Sequence, residues 1–205
     1  MIDVARNGGL WRLTLNRPRK ANSLTSEMLT QLIDGVNQAK SEANVLVITG
    51  AGTVFSAGAD LDAARIGLAT SGLWEELSGA IADLPCLTIA ALNGTLAGGA
   101  FGMALACDLR VAVPEASFFY PVMKLGFLPQ PSDPQHLALL VGPARAKMIL
   151  MAGQKIDAST AESWGLVDRV VPRDALETTV QELAEAALAA STENVAAIKA
   201  LFVNS

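Results

Sequence analysis

Histidine is almost missing from this chain: His136 is the single one in 205 residues. That rules out the His-rich ligand sets of many transition-metal centres. Cysteine is nearly as scarce. Cys86 and Cys107 both sit in apolar surroundings, which points to buried free thiols in a reducing compartment rather than a disulfide or a metal pair. Cations are in the minority, with 15 Lys and Arg against 20 Asp and Glu and a net charge of −5. Nucleic acid and anionic membrane surfaces both require clustered Lys and Arg, so neither partner is expected. No run of about 18 apolar residues occurs, and no membrane span is expected. No charged-then-apolar leader opens the sequence, so no signal peptide is expected either. These absences together lead to the expectation of a cytoplasmic protein without a metal or redox cofactor.

What is present is apolar. The chain is 51% hydrophobic and only 17% charged, enough for one domain with a sizeable core. One stretch organises it, Asn93 to Asp108, NGTLAGGAFGMALACD. The apolar run Leu87 to Leu92 leads into it as a buried strand. Asn93-Gly94 signals a turn, and Gly98-Gly99 precedes a segment whose Phe101, Met103, Ala104, Leu105 and Ala106 leave no polar face, the pattern of a buried helix. Glycines before a helix start leave backbone N–H groups uncovered, a place for a developing negative charge. The competing explanation is close packing of helix on strand, where glycine only provides room.

A second stretch has the same character. Val45 to Asp60 reads VLVITGAGTVFSAGAD, a short β-branched strand broken by Gly50-Ala51-Gly52 and followed by small residues. Two such strand-then-loop units can bring two backbone N–H groups to one point. ITGAGTVFSAGADL and NGTLAGGAFGMALACD resemble the two signature segments of the crotonase, or enoyl-CoA hydratase/isomerase, superfamily. The resemblance begins at LTLNRPRKANSLTSEMLTQL (Leu13 to Leu32), continues through ASFFYPVMKLGFLPQ (Ala116 to Gln130) and ends at AGQKIDASTAESWGLVDRVVP (Ala152 to Pro172). It implies an α/β fold, a spiral of ββα repeats over residues 1–172. A shortened helical trimerisation segment follows over 173–205, where members of the family usually continue with helices that cover part of the acyl pocket. The implied partners are an acyl-CoA thioester, as substrate or ligand rather than cofactor, and the chain itself, as a homotrimer or dimer of trimers.

Local signals fill in the elements. Leu10 to Leu15 alternates, with Trp11, Leu13 and Leu15 on one face, as a strand paired with Ile2 to Arg6 across Asn7-Gly8-Gly9. Thr25 caps a helix carrying Met28, Leu29, Leu32, Ile33 and Val36. Leu109 to Val113 reads as a strand. Asp133-Pro134 reads as an aspartate cap with proline at the first helical position, and Gly142-Pro143 as a break between two helices. Asp157 caps Ala158 to Trp164, Gly165 stops it, and Leu166 to Val171 reads as a strand. Asp174 opens a long helix, and a short one begins near Thr192. Glu75 and Glu76 read as solvent-facing helix residues.

The resemblance also implies site residues. The family's oxyanion hole falls on the backbone N–H groups of Ala59 and Gly99. The two glutamates of a hydratase fall on Gly102 and Val122, neither of which can carry a proton. A further acid position of the family is Gln130, which can hydrogen-bond but not act as a base. Tyr120, Lys124, Asp133 and His136 are the nearby substitutes. Of these His136 is the residue type that titrates near neutrality, although its place in the first helical turn also suits a structural role. The CoA moiety is expected against Arg17, Arg19, Lys20 and Ala21, the last through its backbone, with Ala57, Asp60 and Leu61 beside them. Asp60 and Asp108 also match positions that look structural. Three readings follow: an enzyme that stabilises a thioester enolate with a non-standard proton carrier, a non-catalytic acyl-CoA-binding pseudoenzyme, or a carbon–carbon hydrolase of diketones using His136 and Asp133.

Overall fold

In the computed structural model β1 (Ile2–Asn7) and β2 (Leu10–Leu15) pair antiparallel, Asn7 opposite Leu10, across a Gly8-Gly9 turn. The alternation of β2 is realised in its burial: Trp11, Leu13 and Leu15 are buried, and Arg12 and Thr14 are not. Residues 1–202 are described; positions 203–205 of the expected C-terminal segment lie outside the described residues. Thr25 Oγ1 accepts the Met28 N–H and starts α1 (Ser26–Ala39), which buries its expected apolar stripe. The chain then crosses to β3 (Val45–Gly50), parallel to β2. With both faces covered, Val45, Leu46, Val47 and Ile48 are all buried.

From β3 to α7 each turn of chain supplies one strand to each of two sheets and then helix. β3 is followed by β4 (Val54–Ser56), α2 (Leu61–Arg65) and α3 (Leu73–Ala82). β5 (Leu87–Leu92) is followed by β6 (Thr95–Ala97) and α4 (Phe101–Leu105). β7 (Leu109–Ala112) is followed by β8 (Ser117–Phe119), α5 (Val122–Leu125), α6 (Asp133–Val141) and α7 (Pro143–Leu150). β9 (Ile156–Asp157), α8 (Ala158–Trp164), β10 (Arg169–Val170), α9 (Leu176–Ala189) and α10 (Thr192–Ala200) complete the path. The larger sheet runs β1-β2-β3-β5-β7-β10 and the smaller β4-β6-β8-β9. This is an α/β fold wound as a spiral of ββα units. β3, β5 and β7 pair in parallel, as do β4, β6 and β8, so the loops that leave β4 and β6 stack at one end of the small sheet; β9 joins β8 antiparallel.

Two boundaries differ from the sequence pattern, each for a backbone reason. The strand expected over Leu166 to Val171 is reduced to Arg169–Val170, because the Leu166 and Val167 N–H groups both donate to Ala161 O and close the end of α8. The helix expected from Asp174 opens with a single 3-10 turn, Arg173–Ala175, and α9 proper starts at Leu176. α9 lies over β3, β5 and β7 with Leu176, Val180 and Ala184 in the same core as the sheet. Asn44 Nδ2 ties its end by donating to Ala187 O and Ala190 O. α10 buries no side chain and is held by Lys199 Nζ, 2.8 Å from Asp108 Oδ2 and 2.9 Å from Cys86 O. Cys86 and Cys107 are free, and burial pushes their thiols up to about 11 and about 12, so neither is a thiolate at neutral pH. Among the described residues no helix is long and apolar enough to cross a membrane.

Candidate active site

The two loops singled out in the sequence meet. Leu24 forms a parallel bridge with Ala59: Leu24 N–H donates to Gly58 O at 2.8 Å, and Asp60 N–H donates to Leu24 O at 2.8 Å. In such a bridge the residue between the two bonds turns its own N–H the other way. The Ala59 N–H is therefore directed away from Leu24, and among the described residues it has no acceptor. The second loop leaves β6 at Ala97 and makes a single 3-10 turn, Gly98–Ala100, into α4. The N–H groups at such a start have no acceptor within the helix, and Gly99 N–H finds none elsewhere among the described residues. The loops touch at Gly58, whose φ is +86°. A methyl group there would lie 2.8 Å from Ala97 O and 3.3 Å from Gly98 Cα, so only glycine permits the approach.

Ala59 and Gly99 share a cleft of about 370 Å³. Trp74, Tyr120, Val122 and Gln130 wall it, and Leu61, Leu125, Phe127 and Leu128 line its apolar outer part. Leu128 is 87% exposed and Leu61 70%, an apolar rim open to solvent. Trp74 is fixed by its Nε1–H, which donates to Leu68 O at 2.7 Å, and its ring covers Gly99.

Among residues expected near CoA, Ala57 and Leu61 line this cleft. Asp60 does not: it caps α2 by accepting the Asp62 and Ala63 N–H groups and binds Arg17 Nη1 at 2.7 Å. The Arg17 guanidinium, then those N–H groups, hold its carboxyl below the usual range. Arg17 Nη1 also donates to Ser23 O and Oγ, so its guanidinium braces the loop. Arg19 and Lys20 are exposed on the 3-10 turn Pro18–Lys20. Ala21 follows with φ 50°; its N–H donates to Pro18 O and its carbonyl accepts the Ala57 N–H.

Gln130 lines the cleft and donates its backbone N–H to the Tyr120 hydroxyl at 3.3 Å and its Nε2 to Ala69 O at 3.3 Å. His136 is not in the cleft lining, and its Nδ1 is buried without a partner among the described residues. Lys124 is exposed on α5.

Asp133 is not the helix cap that its Asp-Pro pair suggests. Ser132 stands at the cap position, and Glu75 of α3 serves α6 from across the interface by accepting Ser132 N–H at 3.1 Å and Ser132 Oγ–H at 3.0 Å. Glu75 is half-buried on this duty rather than solvent-facing, whereas Glu76 is exposed as expected. Freed from capping, Asp133 turns inward and is 1% exposed. Its Oδ2 accepts the Tyr120 hydroxyl at 2.8 Å. A methyl group built on Gly102 would lie 2.9 Å from its Oδ1 and 2.6 Å from Ser78 Oγ. The Asp133 carboxyl thus stands against Gly102, the position on which the resemblance places a glutamate. No sequence signal connects Gly102 with Asp133, because the contact is made only by packing α4 against α6.

That contact has a measurable cost. Gly102→Ala is expected to lower stability by about 1–3 kcal/mol through overpacking. Coupled with Asp133→Ala, the loss should be less than the sum of the two single changes. Urea unfolding of the four proteins checks this; additive losses would mean that the two positions do not compete for space.

The sequence pattern of the family Enoyl-CoA hydratase/isomerase matches residues 5–205. Carnitinyl-CoA dehydratase of Citrobacter koseri is 36% identical over 213 residues, covering 98% of this chain and 79% of the relative. The 1,2-epoxyphenylacetyl-CoA isomerase of Escherichia coli is 34% identical over 187 residues, covering 86% and 71%. The crystal structure of enoyl-CoA hydratase from Bacillus anthracis superposes with a TM-score of 0.91 at 33% identity, over 99% of this chain and 82% of that one. With its ββα spiral and its two touching glycine-rich loops, the chain belongs to the enoyl-CoA hydratase/isomerase, or crotonase, superfamily.

Proposed function

We propose that the chain binds an acyl-CoA thioester with its carbonyl oxygen between the N–H groups of Ala59 and Gly99, and stabilises the enolate formed when a proton leaves the α-carbon. The observation that carries this reading is the pair of N–H groups on touching loops that have no acceptor among the described residues, in a cleft with an apolar rim. As negative charge moves onto the thioester oxygen, preorganised donors gain strength without having to reorganise. The rim of Leu61, Leu125, Phe127 and Leu128 suits an acyl chain. The exposed Arg19 and Lys20 suit the CoA phosphates, with Arg17 as the brace of their loop. Relatives named for carnitinyl-CoA and 1,2-epoxyphenylacetyl-CoA support a coenzyme A thioester as the ligand class. Self-association into a trimer or dimer of trimers and a cytoplasmic location belong to the same reading.

Gly102 and Val122 favour one competing reading, a pseudoenzyme that binds without turnover. Calorimetric titration with butyryl-CoA, together with NMR detection of deuterium uptake at its α-carbon in heavy water, separates the two. Binding with uptake is the expected result. Binding without uptake would favour the pseudoenzyme, and no binding at all would refute the acyl-CoA assignment.

A further inference from the structure

Asp133 Oδ1 is one of two buried side-chain atoms without a partner among the described residues. A buried carboxyl left half-satisfied carries a desolvation cost and calls for an explanation, a catalytic role among them. Its other oxygen is joined to a hydroxyl whose residue lines the cleft, 2.8 Å away. Tyr120 is itself fixed. Its ring packs on Phe101 with centroids 5.4 Å apart, and its oxygen accepts the Gln130 N–H. Gly102 makes room for the carboxyl, and a side chain there would displace it.

We propose that Tyr120 and Asp133 form the proton relay of the cleft, with the Tyr120 hydroxyl meeting the α-carbon of the bound thioester and Asp133 holding the proton behind it. The inference rests on the acyl-thioester reading above. In the forward step the α C–H bond breaks. Its electron pair forms the enolate C=C bond, and the carbonyl pair moves onto the thioester oxygen between Ala59 and Gly99. The departing proton forms an O–H bond at Tyr120 as the hydroxyl proton of Tyr120 passes to Asp133 Oδ2. The reverse step returns both protons, so no oxidant or further reactant is needed. Tyr120 is the catalytic residue and Asp133 a positioning and proton-holding residue that acts through it. The chain thereby replaces a glutamate projected from α4 by a carboxylate brought in from α6.

The electrostatics suit the task. Burial raises the Asp133 carboxyl to about 7; the Tyr120 hydrogen bond opposes that shift and the negative charge of Glu75 adds to it. The groups facing it are Glu75 from α3 and Tyr120 from the segment after β8, while α4 presents Gly102 and no charge. On α6 itself His136 is the titratable neighbour, one turn on. Arg145 and Lys147 of α7 are exposed, and Arg145 lies over the Trp164 ring. A group that titrates near the working pH can both accept and return a proton.

The test is α-deuterium uptake by butyryl-CoA in heavy water as a function of pH, with butyryl-CoA affinity and circular dichroism measured alongside. The unprotonated carboxylate accepts the proton, so uptake by the wild type should rise with pH through about 7 and then level off. Asp133→Asn keeps an oxygen for the Tyr120 hydroxyl to bond, so a purely structural role predicts little change. The relay predicts a loss of about 10²-fold or more and disappearance of the rise near neutrality. Tyr120→Phe should cause a loss of similar size. Glu75→Gln retains the acceptor for Ser132 but removes the charge, and should move the midpoint of the rise to lower pH. Uptake by Asp133→Asn with wild-type rate and pH profile overturns the relay while leaving the acyl-CoA reading intact. A wild-type protein that neither binds butyryl-CoA nor exchanges its α-protons overturns both.

Discussion

Crotonyl-CoA is expected to pass through this protein unhydrated, or to be hydrated at least about 10³-fold more slowly than by a member of the family carrying both glutamates. Hydration adds water across a double bond, so one group must activate the water while another protonates the α-carbon. Each positioned acid–base group is typically worth about 10²- to 10⁴-fold. By the resemblance the two family positions fall on Gly102, which has no side chain, and Val122, which is buried and apolar. The proposed Tyr120–Asp133 relay would supply one proton carrier, not two, and the pair stands on the Gly102 side. Nothing titratable stands at position 122 to activate a water, so the proposed enolate chemistry is expected without hydration. The check is loss of the enoyl absorbance with protein freed of contaminating hydratase. Hydration at a rate comparable to that of a two-glutamate enzyme would refute the expectation and point to Glu75 as a second acid–base group.

Gly58→Ala is expected to reduce α-deuterium uptake by about 10²- to 10³-fold, the usual worth of one oxyanion donor. The residue has a φ of +86°, where an L side chain is strained, and its new methyl group would lie 2.8 Å from Ala97 O. The neighbour is backbone and cannot rotate away, so the two loops must part. Ala59 is the next residue, and its N–H would leave the position it shares with Gly99. The fold should survive, because the adverse backbone conformation costs only about 1–2 kcal/mol at one residue. Thermal unfolding and uptake measured on the same preparation decide the matter. A protein whose loops have parted and that is still as active as the wild type to within a few-fold would show that the paired N–H geometry does not govern the rate.

The sequence by itself determined the fold and the two loops that meet in the cleft. The alternation of Leu10 to Leu15, the Thr25 cap and the apolar runs at Val45 and Leu87 are short-range patterns, and each became the element it announced. Ala59 and Gly99 were named through the family resemblance of their two loops, and the glycine spacing by itself left close packing of helix on strand as a competing explanation. The tertiary structure decided the side-chain half. Asp133 has the sequence signature of a helix cap, yet Glu75, nearly sixty positions away, takes over that duty and lets the carboxyl turn inward. Arg17, one of three cations expected near phosphate, also binds Asp60 through Nη1, a partner 43 positions away. Hydrogen-bond partners that lie far apart in the chain are chosen by how α3, α4 and α6 pack, and no local pattern encodes that choice. The empty place at Gly102 could be read from the sequence, but that a carboxyl from α6 fills it could be seen only once the helices were packed together.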